Sequence, residues 1–271
     1  MLEILNFNFF QNALFSCVLV SIACGCIGSL VMVNRLMSMA GGITHGAFGG
    51  IGVAFYFSLP VLLSTSLFTL ILAFIVAYLS KHYPNRSDSI IAVIWAFGMA
   101  IGIILIDLSP KYNNDLMAYL FGNILTVSNE DIWLMLGADI IFIIILLCFY
   151  RQFEIISFDS EFAQTRGINT NLFYYLLIFM ISLCVVIGIR LVGLILAMAL
   201  LSIPSFIAEG ISKKLGWMII YSSILSLCFC LSGLMVSYYF NISSGASIIM
   251  ISCVAFAIFL GINALKNFPR S

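Results

Sequence analysis

Charge is what this sequence has least of. Among 271 residues there are 11 Lys+Arg and 11 Asp+Glu, so only 8% are charged, and the formal net charge is zero. A soluble domain carries roughly 25% charged residues, so an ordinary water-soluble enzyme is excluded. Lys/Arg clusters and basic tails are missing as well, which removes nucleic acid as a partner. No Gly-rich phosphate loop ending in Lys-Ser/Thr occurs, so the chain does not run on its own ATP hydrolysis. The first twelve residues, MLEILNFNFFQN, lack a basic n-region, and no cleavable signal is expected.

Apolar side chains take the place of charge. Hydrophobic residues make up 63% of the chain and the mean hydropathy is +1.19. A spanning helix needs about 20 mostly apolar residues, and runs of that order recur here without the alternation of a membrane β-strand. Nine spans are predicted, at 13–33, 43–59, 61–80, 90–108, 132–150, 172–189, 191–208, 215–236 and 245–263. The second is short and glycine-rich, and Arg190 alone separates the sixth from the seventh, so eight spans with a broken or re-entrant helix is the alternative count. The expected fold is all-α: a single polytopic transmembrane helical bundle, 1–271, of eight to nine spans.

Nine crossings from an external amino terminus put Arg35, Lys81, Arg86, Arg151, Arg166, Lys213, Lys214, Lys266 and Arg270 on the cytoplasmic side, leaving Lys111 and Arg190 outside. That split satisfies the positive-inside rule and makes the carboxyl terminus cytoplasmic. The eight cysteines all lie in or beside apolar runs, as small buried hydrophobes do.

A few residues stand out inside the bundle. The stretch MAGGITHGAFGG places Gly42, Gly46 and Gly50 four apart, leaving one helix face almost bare for a neighbouring backbone. Within it, His45 is a candidate transient contact for a passing cation, with Thr44 beside it, because an imidazole in a span is paired or faces a polar cavity. Asp139 would cost about 2.5 to 3.5 kcal/mol against lipid and must face protein or water. Its readings are an interhelical hydrogen bond, a place in the cation path, or a helix end. Arg190 and Pro204 either bracket a displaced short helix or flank a tight external turn. Glu209 and Lys213 are spaced as a helical ion pair.

In FDSEFAQTRGIN, Asp159 suits an N-cap, Glu161 the first turn, and Gly167 the left-handed position after the end. The spacing predicts a helix of about two turns outside the membrane, with Phe162 and Arg166 on one face as a docking surface. A plain surface turn is the alternative.

Together, MVNRLMSMAGGITHGAFGG, SDSIIAVIWAFGMAIGIILI, DLMAYLFGNILTVSNEDI, FDSEFAQTRGIN, RLVGLILAMALLSIPSFIAE and SYYFNISSGASIIM resemble the permease family of bacterial ATP-binding cassette importers for zinc, manganese and iron. The resemblance implies a type II ABC importer-like permease in the bacterial cell membrane, the inner membrane of a Gram-negative cell. It implies as partners a second permease copy, a cytoplasmic ABC ATPase dimer, an extracytoplasmic metal-binding protein and membrane lipids. No cofactor is expected on this chain: Zn²⁺, or Mn²⁺/Fe²⁺, is cargo, with a lean to zinc, and ATP is used by the partner.

By the same resemblance residues 158–168 form the cytoplasmic coupling helix, with Asp159, Glu161, Phe162, Arg166 and Gly167 serving ATPase coupling. His45 matches the histidine of a Ser-His-Ala stretch, read here as Thr44-His45-Gly46, and Asp88 aligns with an acidic cap of the following helix. Uptake of iron chelates or corrinoids, or a metal transporter driven by an ion gradient, are the competing functions.

Overall fold

The computed structural model describes residues 8–109, 122, 124 and 127–266. Their regular structure is helical: α1 (Asn8–Val33), α2 (Met37–Gly46), α3 (Phe48–Phe57), α4 (Val61–His82), a 3₁₀ turn (Pro84–Arg86), α5 (Ser87–Asp107), α6 (Asn129–Phe158), α7 (Ser160–Thr165), α8 (Thr170–Val192), α9 (Leu194–Ile211), α10 (Leu215–Phe240) and α11 (Ser244–Lys266). Lys111 and Arg270 lie outside the described residues.

Among the described residues eight helices are long and apolar enough to cross a membrane: α1, α4, α5, α6, α8, α9, α10 and α11. The predicted span 43–59 is instead the later part of a broken pair, α2 and α3. At the break, Ala47 N–H still reaches Ile43 O, but Gly50 N–H bonds to Ala47 O, an i→i−3 step that tightens the helix locally. The pair nevertheless runs the length of α5, since Gly42 lies by Ile91, Gly46 by Gly98 and Gly52 by Gly102. Its 21 residues, Met37 to Phe57, rise about 30 Å, the thickness of a bilayer core. Eight long helices and one broken pair therefore give nine passages between the ends of the bundle.

α1 is the central post. It packs on α10, α9, α6 and α8, and its buried face carries Cys17, Cys24, Ile27 and Leu30. α11, α5 and α6 are peripheral and show apolar side chains such as Val254, Phe97 and Leu147 to the surroundings. An outward-facing apolar surface of this kind is stable only in lipid or against another apolar chain. All eight cysteines are unpaired; Cys148, Cys228 and Cys253 are exposed, and the other five are buried.

The two ends differ in character. At one end Ser128 and Asp131 form a capping box for α6, Arg190 pairs with Asp131 as an ion pair with Nε 2.5 Å from Oδ1, and Asn12 Nδ2 donates to Asn129 Oδ1 at 2.8 Å. The opposite, basic end gathers Arg35, Lys81, Ser157, Ser160 and Asn171 around one cavity. Arg190 is thus neutralised in the last turn of α8, and the chain turns at Gly193, φ 82°. α9 continues through Pro204 to Ile211, so Arg190 stands before a tight turn and no displaced helix lies between it and Pro204. Glu209 and Lys213 form no ion pair, because α9 ends at Ile211 and Lys213 lies beyond the helix.

A methyl group added at Gly98 would lie 2.6 Å from Gly46 Cα, and this contact is backbone on both sides. Gly98→Ala is expected to lower stability by about 1 to 3 kcal/mol through overpacking. Thermal unfolding of the detergent-solubilised chain measures this, and an unchanged midpoint would refute the close approach.

Candidate functional site

Two places bring the predicted residues into focus: the glycine seam that carries His45, and the short helix α7.

The glycine seam brings α2 against α5, with backbone on backbone at Gly46 and Gly98 and Gly42 under the Ile91 side chain, and His45 stands beside that contact. Its imidazole stacks on the Trp95 indole, with centroids 4.3 Å apart and planes 12° from parallel. Nδ1 of His45 is buried and carries no hydrogen bond. An imidazole held by its face, with a ring nitrogen unspent, keeps a lone pair for a metal ion in its neutral form. Thr44 does not share that role: its hydroxyl donates to Ala40 O at 2.7 Å, on its own helix. Trp95 was not anticipated from the sequence, where it was one aromatic in an apolar span.

Asp139 lies well inside α6, so it is not a helix-end residue. It is 3% exposed, and neither carboxyl oxygen has a hydrogen-bond partner. The expected interhelical hydrogen bond is therefore absent. Around it stand the thiols of Cys24 and Cys26 on α1. α6 packs on α1, α7 and α8, whereas His45 belongs to the α2–α5 seam, so the fold does not join these two residues into one site. Among the described residues no group of three or more His, Cys, Asp or Glu side chains could hold a metal ion.

The short helix predicted in FDSEFAQTRGIN is present as α7. Asp159 is extended, φ −154° and ψ 101°, and its Oδ1 accepts from the N–H groups of Glu161 at 3.0 Å and Phe162 at 2.9 Å. At the other end Gly167, φ 77°, donates to Gln164 O, and Ile168 N–H reaches Ala163 O, the paired bonds of a Schellman motif. Ala163 is wholly buried and ties the turn down, while Phe162 remains 46% exposed. The Arg166 guanidinium lies 5.2 Å from the Phe162 ring centroid, so cation and aromatic form one surface knob. Glu161 sits exposed in the first turn.

The helix is carried by α6, which kinks at Phe149, φ −118° and ψ 17°. Phe149 and Phe153 both meet Phe173 edge-on, at 5.5 and 5.4 Å, so the bent end of α6 is held to α8. Asp88 does not cap α5. Arg86 occupies that position without a side-chain bond, and Asp88 lies in the first turn, where its charge suits the helix dipole.

The model of the ABC 3 transport family matches residues 6–263. The chain belongs to the ABC 3 transport family. It is 44% identical over 260 residues to an uncharacterised membrane protein, slr2045, of Synechocystis sp., covering 96% of this chain and 92% of that one. It is 31% identical to the manganese import system permease protein ScaB of Streptococcus gordonii, across 93% of this chain and 91% of the relative. PsaBC from Streptococcus pneumoniae, solved in complex with Fab, superimposes with a TM-score of 0.84 at 31% identity, over 94% of this chain and 91% of that chain. This family member is the membrane permease subunit of an ABC importer, and ATP hydrolysis belongs to a separate ABC ATPase.

Asp159→Ala, by removing two cap bonds, is expected to cost about 1 kcal/mol of local stability, and Gly167→Ala about 1 to 2 kcal/mol by forcing a side chain into the left-handed region. Hydrogen exchange of residues 159–168 reads both; protection equal to that of the parent chain would contradict the cap assignments. Asp139→Asn removes an ionisable group with no partner and is expected to leave the melting temperature unchanged or raised. A drop of several degrees would show that the carboxylate is held by an interaction absent from this account.

Proposed function

We propose that this permease carries divalent transition-metal ions into the cytoplasm, that manganese is its first candidate cargo, and that His45 is a transient contact on the path. The single observation behind the pathway role is the His45 ring, stacked on Trp95 with an unbonded Nδ1. Weak, isolated ligation suits transport, since a full first shell would trap the ion. Manganese comes first because relatives at 29 to 31% identity carry manganese transport in their names, among them ScaB and MntC. Zinc and iron are the competitors, because imidazole is a favoured ligand of both.

The basic end faces the cytoplasm in this reading, since it holds Arg35, Lys81, Arg86 and Arg166, against Arg190 at the other end. The carboxyl terminus is then cytoplasmic. Two copies form the path, α7 docks on an ATPase dimer through the Phe162–Arg166 knob, and an extracytoplasmic metal-binding protein delivers the ion at the Arg190 end. ATP binding below shifts α7, and the kinked end of α6 passes that movement to the bundle as alternating access. Asp139, away from the seam, is assigned a place beside the path and no ligand role.

Proteoliposomes containing this chain with its ATPase and binding protein, titrated with Mn²⁺, Zn²⁺ and Fe²⁺, test the proposal. ATP-dependent uptake of Mn²⁺ is expected, with none from the chain alone. In His45→Ala the flux at limiting metal should fall roughly tenfold, the loss of one contact of about 1.4 kcal/mol, while the complex assembles normally. Gradient-driven uptake by the isolated chain, or undiminished flux in His45→Ala, would reject the energy source or the pathway residue respectively.

A further inference from the structure

The basic end contains a cavity of about 720 Å³, formed where α1, α2, α4, α5, α6, α7 and α8 converge, and most of its lining lies outside both the His45 seam and α7. Its volume suits a small ligand. Two cations line it, Arg35 and Lys81, against one carboxylate, Asp88. Polar groups supply most of the rest, among them Ser38, Asn34 and Gln164. A net positive vestibule is a poor resting place for a metal ion and a good one for an anion.

Three further observations give the site its chemistry. α2 begins at this cavity, through Ser38, and has no side-chain cap, so its first N–H groups and positive dipole end are unspent. Ser80, which lines the cavity, is 7% exposed and its hydroxyl has no hydrogen-bond partner. Arg35 stands at φ 56°, at the left-handed position of a Schellman motif closing α1: Arg35 N–H bonds to Met32 O and Leu36 N–H to Val31 O. The equivalent position after α7 is Gly167. An arginine there strains the backbone that a glycine would relax, and its guanidinium is exposed at the cavity with no ion-pair partner among the described residues. Its charge suits the carbonyl end of α1 too, but that benefit does not require the cavity. Lys81 is positioned more firmly, bonded to Asn171 Oδ1 with its ammonium over the Tyr174 and Tyr175 rings at 5.7 and 5.8 Å.

We propose that this cavity binds a phosphate-bearing anion, either a free phosphate or an anionic lipid headgroup, held by Arg35, Lys81, Ser80 and the uncapped start of α2. Because Gln164 of α7 and Ser38 of α2 share the lining, the bound anion bridges the docking helix to the helix that carries His45. The anion site does not depend on which metal is carried.

The full chain is placed in phosphatidylcholine nanodiscs and titrated with inorganic phosphate; in parallel it is released from discs containing phosphatidylglycerol for native mass spectrometry. Saturable phosphate binding or retained phosphatidylglycerol is expected, and the arm that responds identifies the source. Arg35→Asn, which tolerates the left-handed backbone, and Lys81→Gln, an exposed position, should each weaken it roughly tenfold through loss of a charged hydrogen bond. Arg86→Gln, at the same end but outside the cavity, should leave it unchanged. Absence of both ligands, equal loss in Arg86→Gln, or a change confined to affinity for the ATPase would overturn the proposal.

Discussion

Close approach of bare backbone along one seam is the constraint on which the rest of the structure depends. Gly46 and Gly98, and then Gly52 and Gly102, bring α2–α3 and α5 together where any Cβ would collide. Inside a bilayer helices gain little from hydrophobic burial against one another, so packing at this distance becomes the main source of cohesion. The same approach sets His45 flat against Trp95 and leaves its Nδ1 unbonded. One sequence feature thereby provides both the packing and the orientation of the ring.

The second organising feature is the contrast between the two ends. At one, Arg190 is neutralised by Asp131, and the capping box at Ser128 and the turn at Gly193 hold the helix ends together. At the other, Arg35 has no carboxylate partner among the described residues and helix starts lack side-chain caps, around a cavity that touches α7. The basic end therefore holds the less satisfied, more adjustable groups of the bundle.

Local chemistry was the most legible part of the sequence. The long spans follow from apolar runs, and α7 follows from Asp159 and Gly167, whose cap and left-handed turn involve neighbours within a few residues. Long-range partners were not legible. The His45–Trp95 stack joins residues in different helices, and Asp131 gives no sign in the sequence that it will meet Arg190. The short, glycine-rich second run left room for a broken helix, and Gly42, Gly46 and Gly50 indicated a bare face, but neither located the break at Ala47, since packing decides where a glycine-rich helix bends. Asp139 was expected to find a hydrogen bond because a polar group inside a bundle normally has one; here thiols lie nearby and offer its oxygens none.

Trp95 offers a direct reporter of the central claim that metal meets the ring it stacks on. With Trp133 and Trp217 replaced by Phe, its emission in the reconstituted permease can be followed as Mn²⁺, a paramagnetic quencher, is added. The account expects saturable quenching that disappears in His45→Ala. Emission insensitive to Mn²⁺, or quenched equally with and without the imidazole, would contradict it.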